Sequence, residues 1–304
     1  MFKIILPGWP NPVKASGCNN FAVPADVRVQ MVESACFQHE SPSPGLFLFK
    51  MKILIKKQKK ATVEGREFVI SRQKKYFITD IEKDFHTEFG VISTIDLAKT
   101  GTIKSDKQKE FSIFDASFVD SYQNIKRLAQ MPLLKDIGMM IAFTGINKDS
   151  KIVDAGAGSG GISCFFAHLV KEVTTYDINK EHLDIVKQNK DFLKLKNLKI
   201  KNKDVCKGID EKEIDVVTLD LPSPQNAINS AEKALKPGGF LVNYSPCITS
   251  AADFVNTILK HENLIHIKTI ELISREWKIQ GRAVRPASQK TIHSGFLTFC
   301  RKIK

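Results

Sequence analysis

The sequence predicts an α/β protein in which a doubly wound parallel sheet, residues 149–304, follows a smaller β-rich domain. Three observations lead there. From residue 151 onward, apolar strands alternate with helical segments. Residues 151–161, KIVDAGAGSGG, join a short strand to a helix through a glycine-rich turn. Between residues 51 and 115 apolar and polar side chains alternate with the period of a strand.

Residues 1–50 hold only four basic residues, are rich in Pro, Ser and Asn, and show weak periodicity. The texture changes abruptly at Met51. Two readings fit: a poorly ordered upstream extension with Met51 as the natural start, or a genuine flexible arm. Over 51–115 the segments KILIKK, EFVIS, YFITD, GVIS and FSIFDA are separated by turn-like EG, EFG, KTGT and SDKQ, as in a β-rich domain. Residues 116–148 form a helical linker, DASFVDSYQNIKRLAQ and KDIGMMIAFTGI, broken at Pro132. In 149–304, strand KIVDA precedes a helix at 161–170, and strand EVTTYD precedes a helix at 180–195. Strands LKIKNKD and DVVTLD follow, then a helix from Pro224, strand GFLVNYS, a helix from Ser250, and closing strands IHIKTIELI and GFLTFCRK. Ser223-Pro224 predicts an N-cap with Pro at the first helical position, and Pro237-Gly238-Gly239 predicts that helix's end.

With 42% hydrophobic residues the chain can bury a core. Its formal charge of +13, from 46 basic and 33 acidic residues, favours a polyanionic partner. The six cysteines show no C-x-x-C and no ligand-like His spacing, so they predict reduced thiols of a cytoplasmic protein and no metal site. No apolar run reaches the ~18 residues of a membrane span, and no membrane partner is expected.

The chemistry starts at the glycine-rich turn. Gly156, Gly158 and Gly161 satisfy G-x-G-x-x-G, so a dinucleotide is one candidate ligand. Asp154, two residues before the first glycine, favours S-adenosylmethionine instead: a buried acid there can orient the loop amides and lies near where the ligand's ammonium would go. Asp177, 21 residues after Gly156, can accept both ribose hydroxyls and supports either nucleoside ligand. Ligands of an open α/β sheet sit beyond the carboxyl ends of the strands. Four acids stand there: Asp154, Asp177, Asp204 and Asp220. Any one of them could merely cap the next helix. Asp204-Val205 suits an adenine ring. Asp220, in LDLPSP, suits the reactive end, where a carboxylate can stabilise the charge that appears when a neutral ring nitrogen is methylated.

These motifs resemble those of the tRNA (adenine-58-N1) methyltransferases, in a form closer to the archaeal adenine 57/58 members. The matching segments are KRLAQ at 126–130 with Lys135-Asp136, DAGAGSGG at 154–161, KDVCKGI at 203–209, LDLPSP at 219–224, ALKPGGFLVNYSPCIT at 234–249, REWKIQGRAVRP at 275–286 and HSGFLTF at 293–299. The resemblance implies a Rossmann-like class I SAM-dependent methyltransferase fold, a homotetramer, and methylation of N1 of adenine 58 in the T-loop, with 57 open as a second target. It implies Asp220 as catalytic carboxylate. It implies a cofactor pocket of Gln130, Met131, Asp154, Gly156, Ala157, Gly158, Ser159, Gly160, Gly161, Asp177, Asp204, Val205 and Asp220. His182 joins that set by position, with a solvent-facing helical His as the alternative. Arg282, Arg285 and His293 would lie near the tRNA entrance. Extruding a base from tRNA costs a few kcal/mol and needs phosphate contacts that a basic surface supplies. The chain departs from the family where MPLLKD lacks a common Tyr and HSGFL replaces HTGFL. Competing readings are a catalytically silent RNA-binding subunit, a protein methyltransferase of the isoaspartyl type, and an NAD oxidoreductase.

Overall fold

The computed structural model describes residues 51–63, 66–128, 130–280, 282–288 and 293–304; the expectation for residues 1–50 lies outside them. Eight strands come first: β1 (Lys52–Lys56), β2 (Lys59–Val63), β3 (Arg66–Ser71), β4 (Lys74–Ile78), β5 (Phe85–Thr87), β6 (Gly90–Ile92), β7 (Gly101–Lys104) and β8 (Glu110–Asp115), with helix α1 (Thr94–Leu97) before β7. A four-stranded sheet runs β4-β1-β8-β7, and β2–β3 and β5–β6 are separate two-stranded ribbons. The alternation read from the sequence places Leu54, Ile78, Ile103, Phe111 and Ile113 in a core of their own, closed by Ile92 and Leu97.

The next segment differs from its predicted helicity. Helix α2 (Phe118–Tyr122) opens with a capping box, in which Ser117 and Asp120 satisfy each other's backbone amides, and it ends at Gln123. The described residues 123–128 and 130–133 are not helical, and two of their amides find partners far along the chain. Lys126 N–H donates to Asn189 Oδ1 at 2.8 Å, and Leu128 N–H donates to Ser159 Oγ at 2.8 Å. Helix α3 (Leu134–Thr144) begins past Pro132 and ends at Gly145 in the left-handed conformation.

The larger sheet is built from β9 (Lys151–Ala155), β10 (Glu172–Asp177), β11 (Leu198–Asn202), β12 (Ile214–Leu219), β13 (Leu235–Ser245), β14 (Leu264–Glu271) and β17 (Phe296–Lys302). Between the last two lies a hairpin, β15 (Trp277–Gln280) and β16 (Ala283–Pro286), which the sequence reading did not foresee. Helices α4 (Gly161–Ala167), α5 (Lys180–Phe192), α6 (Ile228–Ala234) and α7 (Ile248–Ile258) complete the order. The sheet runs β11-β10-β9-β12-β13-β17-β14. The first five strands are parallel, as predicted, but β17 is antiparallel to both β13 and β14. Strand order reverses between β9 and β12, so a crevice opens at their carboxyl ends.

Two local expectations are corrected. The segment at Pro224 is a 3₁₀ turn, Pro224–Ala227, that leads into α6; Pro224 takes the first position, but Ser223 makes no side-chain cap. Pro237-Gly238-Gly239 does not end a helix: α6 stops at Ala234 and the three residues lie inside β13, where the register with β12 slips between Ile214 and Val216. Gly239 fits that slip because a Cβ there would stand 2.9 Å from the Ile214 carbonyl oxygen.

Candidate active site

The crevice holds a cavity of about 550 Å³ whose wall includes Gln130, Gly156, Gly158, Asp177, His182, Asp204, Val205 and Asp220. A narrower cleft beside it is lined by Met131, Asp154, Ala157, Ser159 and Gly161, and shares Gln130, Gly156, Gly158 and Asp220 with the cavity. Thirteen of the fourteen positions implied for the cofactor thus converge, from the 126–132 segment and four strand ends. The exception is Gly160, which caps α4 in the left-handed conformation, with φ at 81°.

The turn after β9 is shaped by bare backbone. Gly156 and Ala157 N–H both donate to the Tyr176 carbonyl, at 3.0 and 3.1 Å. A Cβ on Gly156 would stand 2.0 Å from the Asp220 carbonyl oxygen, and its φ is 89°, so only glycine fits. Asp154 is buried, and its role differs from the expectation that it orients the loop amides. Its oxygens accept from the Thr175 hydroxyl at 3.0 Å and the Thr218 hydroxyl at 2.7 Å, on the strands either side of β9. Burial pushes its carboxyl up to about 6, against the lowering effect of those hydroxyls.

Asp177, the last residue of β10, receives the Gly158 amide at 3.1 Å and the Asn179 amide at 2.8 Å. His182 turns its Nδ1 to Asp177 Oδ2 at 3.0 Å, so its side chain faces the cavity rather than bulk solvent. Asp204 accepts from the Cys206 amide at 2.9 Å and so caps the short 3₁₀ turn Val205–Lys207, the plain structural role weighed for it. Asp220 is different. Its backbone N–H donates to Ala155 O at 2.8 Å, but among the described residues its carboxyl has no hydrogen-bond or ion-pair partner. Burial, then the neighbouring Asp154 charge, pushes it up to about 7. It caps nothing, and it points its charge-bearing group at open space.

Arg282 and Arg285 sit exposed on the β15–β16 hairpin and do not reach the cavity wall. His293 lies off the wall too, held between Glu271 Oε1 at 2.6 Å and the Pro246 carbonyl at 3.1 Å; the Glu271 carboxylate raises its pKa. The sequence reading passed over Ile178, Leu221 and Asn226, which also line the cavity. Ile178 is 73% exposed immediately after Asp177, an apolar side chain left bare at a strand end. The sequence shows only an apolar residue directly after the strand-end acid, and its exposure is visible in the structure alone.

A seven-stranded, mostly parallel sheet with a glycine-turn crevice walled by Asp177 and Asp220 is the architecture of the class I SAM-dependent methyltransferase fold. An SAM-dependent O-methyltransferase from Thermotoga maritima has the same fold, with a TM-score of 0.68 and 24% identity over 83% of this chain and 93% of that one. So does the tRNA (m1A58) methyltransferase TrmI of Aquifex aeolicus, with a TM-score of 0.66 and 20% identity over 83% and 97%. The family model described as tRNA methyltransferase complex GCD14 subunit matches residues 122–285, and the chain belongs to this family. A curated relative, the tRNA (adenine(57)-N(1)/adenine(58)-N(1))-methyltransferase TrmI of Methanocaldococcus jannaschii, is 32% identical over 77% of this chain and 93% of its own. The tRNA (adenine(58)-N(1))-methyltransferase TrmI of Thermus thermophilus is 27% identical over 72% and 89%.

Proposed function

We propose that the chain is a tRNA (adenine-N1) methyltransferase acting on adenine 58 of the T-loop, with S-adenosylmethionine as methyl donor. The observation that carries it is the Asp220 carboxyl, without a partner among the described residues, on the wall of the glycine-turn cavity. The residues present fit the cofactor: bare backbone at Gly156, an anchored Asp177 for the ribose, Ile178 and Val205 for an adenine face, and at Asp220 an anion for a sulfonium. The cofactor supplies an electrophilic methyl group whose sulfur leaves neutral. Asp220 shelters the positive charge that the adenine ring acquires and accepts a hydrogen bond from its exocyclic amine. Asp204 and Gln130 edge the cofactor, and Arg282, Arg285 and His293 face tRNA.

In this reading residues 149–304 carry the chemistry, 116–148 connect, and 51–115 form a separate module. The enzyme works as a homotetramer in the cytoplasm; none of the described helices is long and apolar enough to cross a membrane. Labelled S-adenosylmethionine with unmodified tRNA, followed by nucleoside mapping, tests the proposal. The expected product is 1-methyladenosine at position 58, and position 57 is the second nucleoside to map, given the Methanocaldococcus relative's name. Methylation of a peptide and not of tRNA would overturn it.

A further inference from the structure

The β2–β3 ribbon belongs to neither large sheet. Residues 56–75, which contain it, hold eight basic and two acidic residues, a surplus of six within a chain whose total is +13. The base of the ribbon is fixed: buried Lys56 donates to Ser71 Oγ at 2.8 Å and lies over the Phe89 ring at 4.2 Å. Lys74 and Lys75 are spent on Glu88 and Asp120. Lys57, Lys59 and Arg72 are exposed and have no ion-pair partner among the described residues. Exposed Phe68, Val69 and Ile70 lie next along the ribbon on the turn side of these cations.

The arrangement distinguishes a nucleic acid from a second protein copy. Phe68 is opposite Ala61 and Val69 is opposite Lys60, so the apolar side chains divide between the two faces and neither face is apolar throughout. Exposed cations at the base of the ribbon with an aromatic ring adjoining them suit a sugar–phosphate chain, the cations meeting phosphates and the ring a base or sugar face.

We infer that the β2–β3 ribbon is an RNA-gripping arm that holds substrate tRNA by its phosphates, away from the reacting adenine; this rests on the tRNA reading above. Its contribution is affinity and not chemistry. The test is binding of unmodified full-length tRNA between about 50 and 200 mM salt, together with KM and kcat for methylation. Two triple variants are used: Lys57→Glu/Lys59→Glu/Arg72→Glu, and the gentler Lys57→Gln/Lys59→Gln/Arg72→Gln. The expected result is about 10-fold or greater weakening for the reversed charges, less for the neutral set, and a salt slope shallower by about 2–3. KM for tRNA rises, while kcat and S-adenosylmethionine affinity hold. Unchanged tRNA affinity and slope in both variants overturns the arm. So does a change in oligomeric mass at unchanged tRNA affinity, which makes the ribbon an interface between copies. A wild-type protein that methylates no tRNA overturns the functional reading instead, and the two failures are separable.

Discussion

Burial raises the Asp220 carboxyl to about 7, and nothing among the described residues offsets that cost. A cation beside it would favour the ionised form, so binding a sulfonium and losing the Asp220 proton are linked. S-adenosylmethionine affinity should therefore rise with pH up to about 7, falling by as much as ~10-fold per pH unit below that. Calorimetric titration at several pH values checks this, and Asp220→Asn should flatten the profile. The same substitution should lower methyl transfer by ~10²-fold or more, as losing one preorganised electrostatic group does. The folding linkage has the opposite sign. A carboxyl whose folded pKa is raised binds its proton more tightly folded than unfolded. The stability this gives is full below the ordinary value of 3.8 and is lost as pH rises through about 7. Without cofactor, Asp220→Asn should thus melt above wild type at alkaline pH, and a lower melting temperature there would contradict the burial argument. Gly156→Ala is expected to fail at both levels. Its Cβ would overlap the Asp220 carbonyl at 2.0 Å with φ at 89°, for a loss of roughly 1–3 kcal/mol or more, read as a lower melting temperature and lost cofactor binding.

Elements explain what the sequence made legible. The glycine turn and the acids at the carboxyl ends of β9, β10 and β12 are chain-local, so spacing alone exposed them. Thr175 and Thr218, which hold Asp154, were not legible. They reach it only because β10 and β12 flank β9, a pairing between strands about 20 and 60 residues away that no local period encodes. The same reason hid the course of residues 126–128: their composition is helical, but Asn189 and Ser159, far along the chain, take the Lys126 and Leu128 amides. The far wall of the cavity depends on such a non-local device too. Lys201 bridges Asp210 at 3.0 Å and Glu211 at 2.7 Å, Lys203 on the cavity wall pairs with Asp210, and the Tyr176 hydroxyl donates to Glu211 and receives the Asp210 amide at 3.1 Å. This clasp ties the loop after β11 to β10. Glu211→Gln should raise KM for S-adenosylmethionine about 3–10-fold, a loss near 1 kcal/mol from a partly exposed pair, with kcat within about twofold. Equal loss in kcat would show that the clasp serves the whole sheet rather than the pocket edge.

At the scale of the molecule, the β15–β16 ribbon differs in kind from the β2–β3 ribbon. In β15–β16, Trp277 faces Pro286 and Ile279 faces Val284, while Lys278 faces Arg285. Cross-strand partners share a face, so this hairpin has one apolar face and one basic face. Trp277, Ile279 and Val284 are all exposed in the single chain, and an apolar face on a twisted two-stranded ribbon is not stable bare in water. A second copy of the chain is the cover that the homotetramer proposal supplies, with the basic face left turned to tRNA. Sedimentation should then give four chain masses. Ile279→Asp places a charge on the covered face and should shift the protein to smaller species, with methyl transfer falling alongside. Lys278→Ala, on the opposite face, should leave the mass unchanged and weaken tRNA binding. If Ile279→Asp keeps the wild-type mass, the apolar face is not where the subunits meet, and the tetramer must close through another surface.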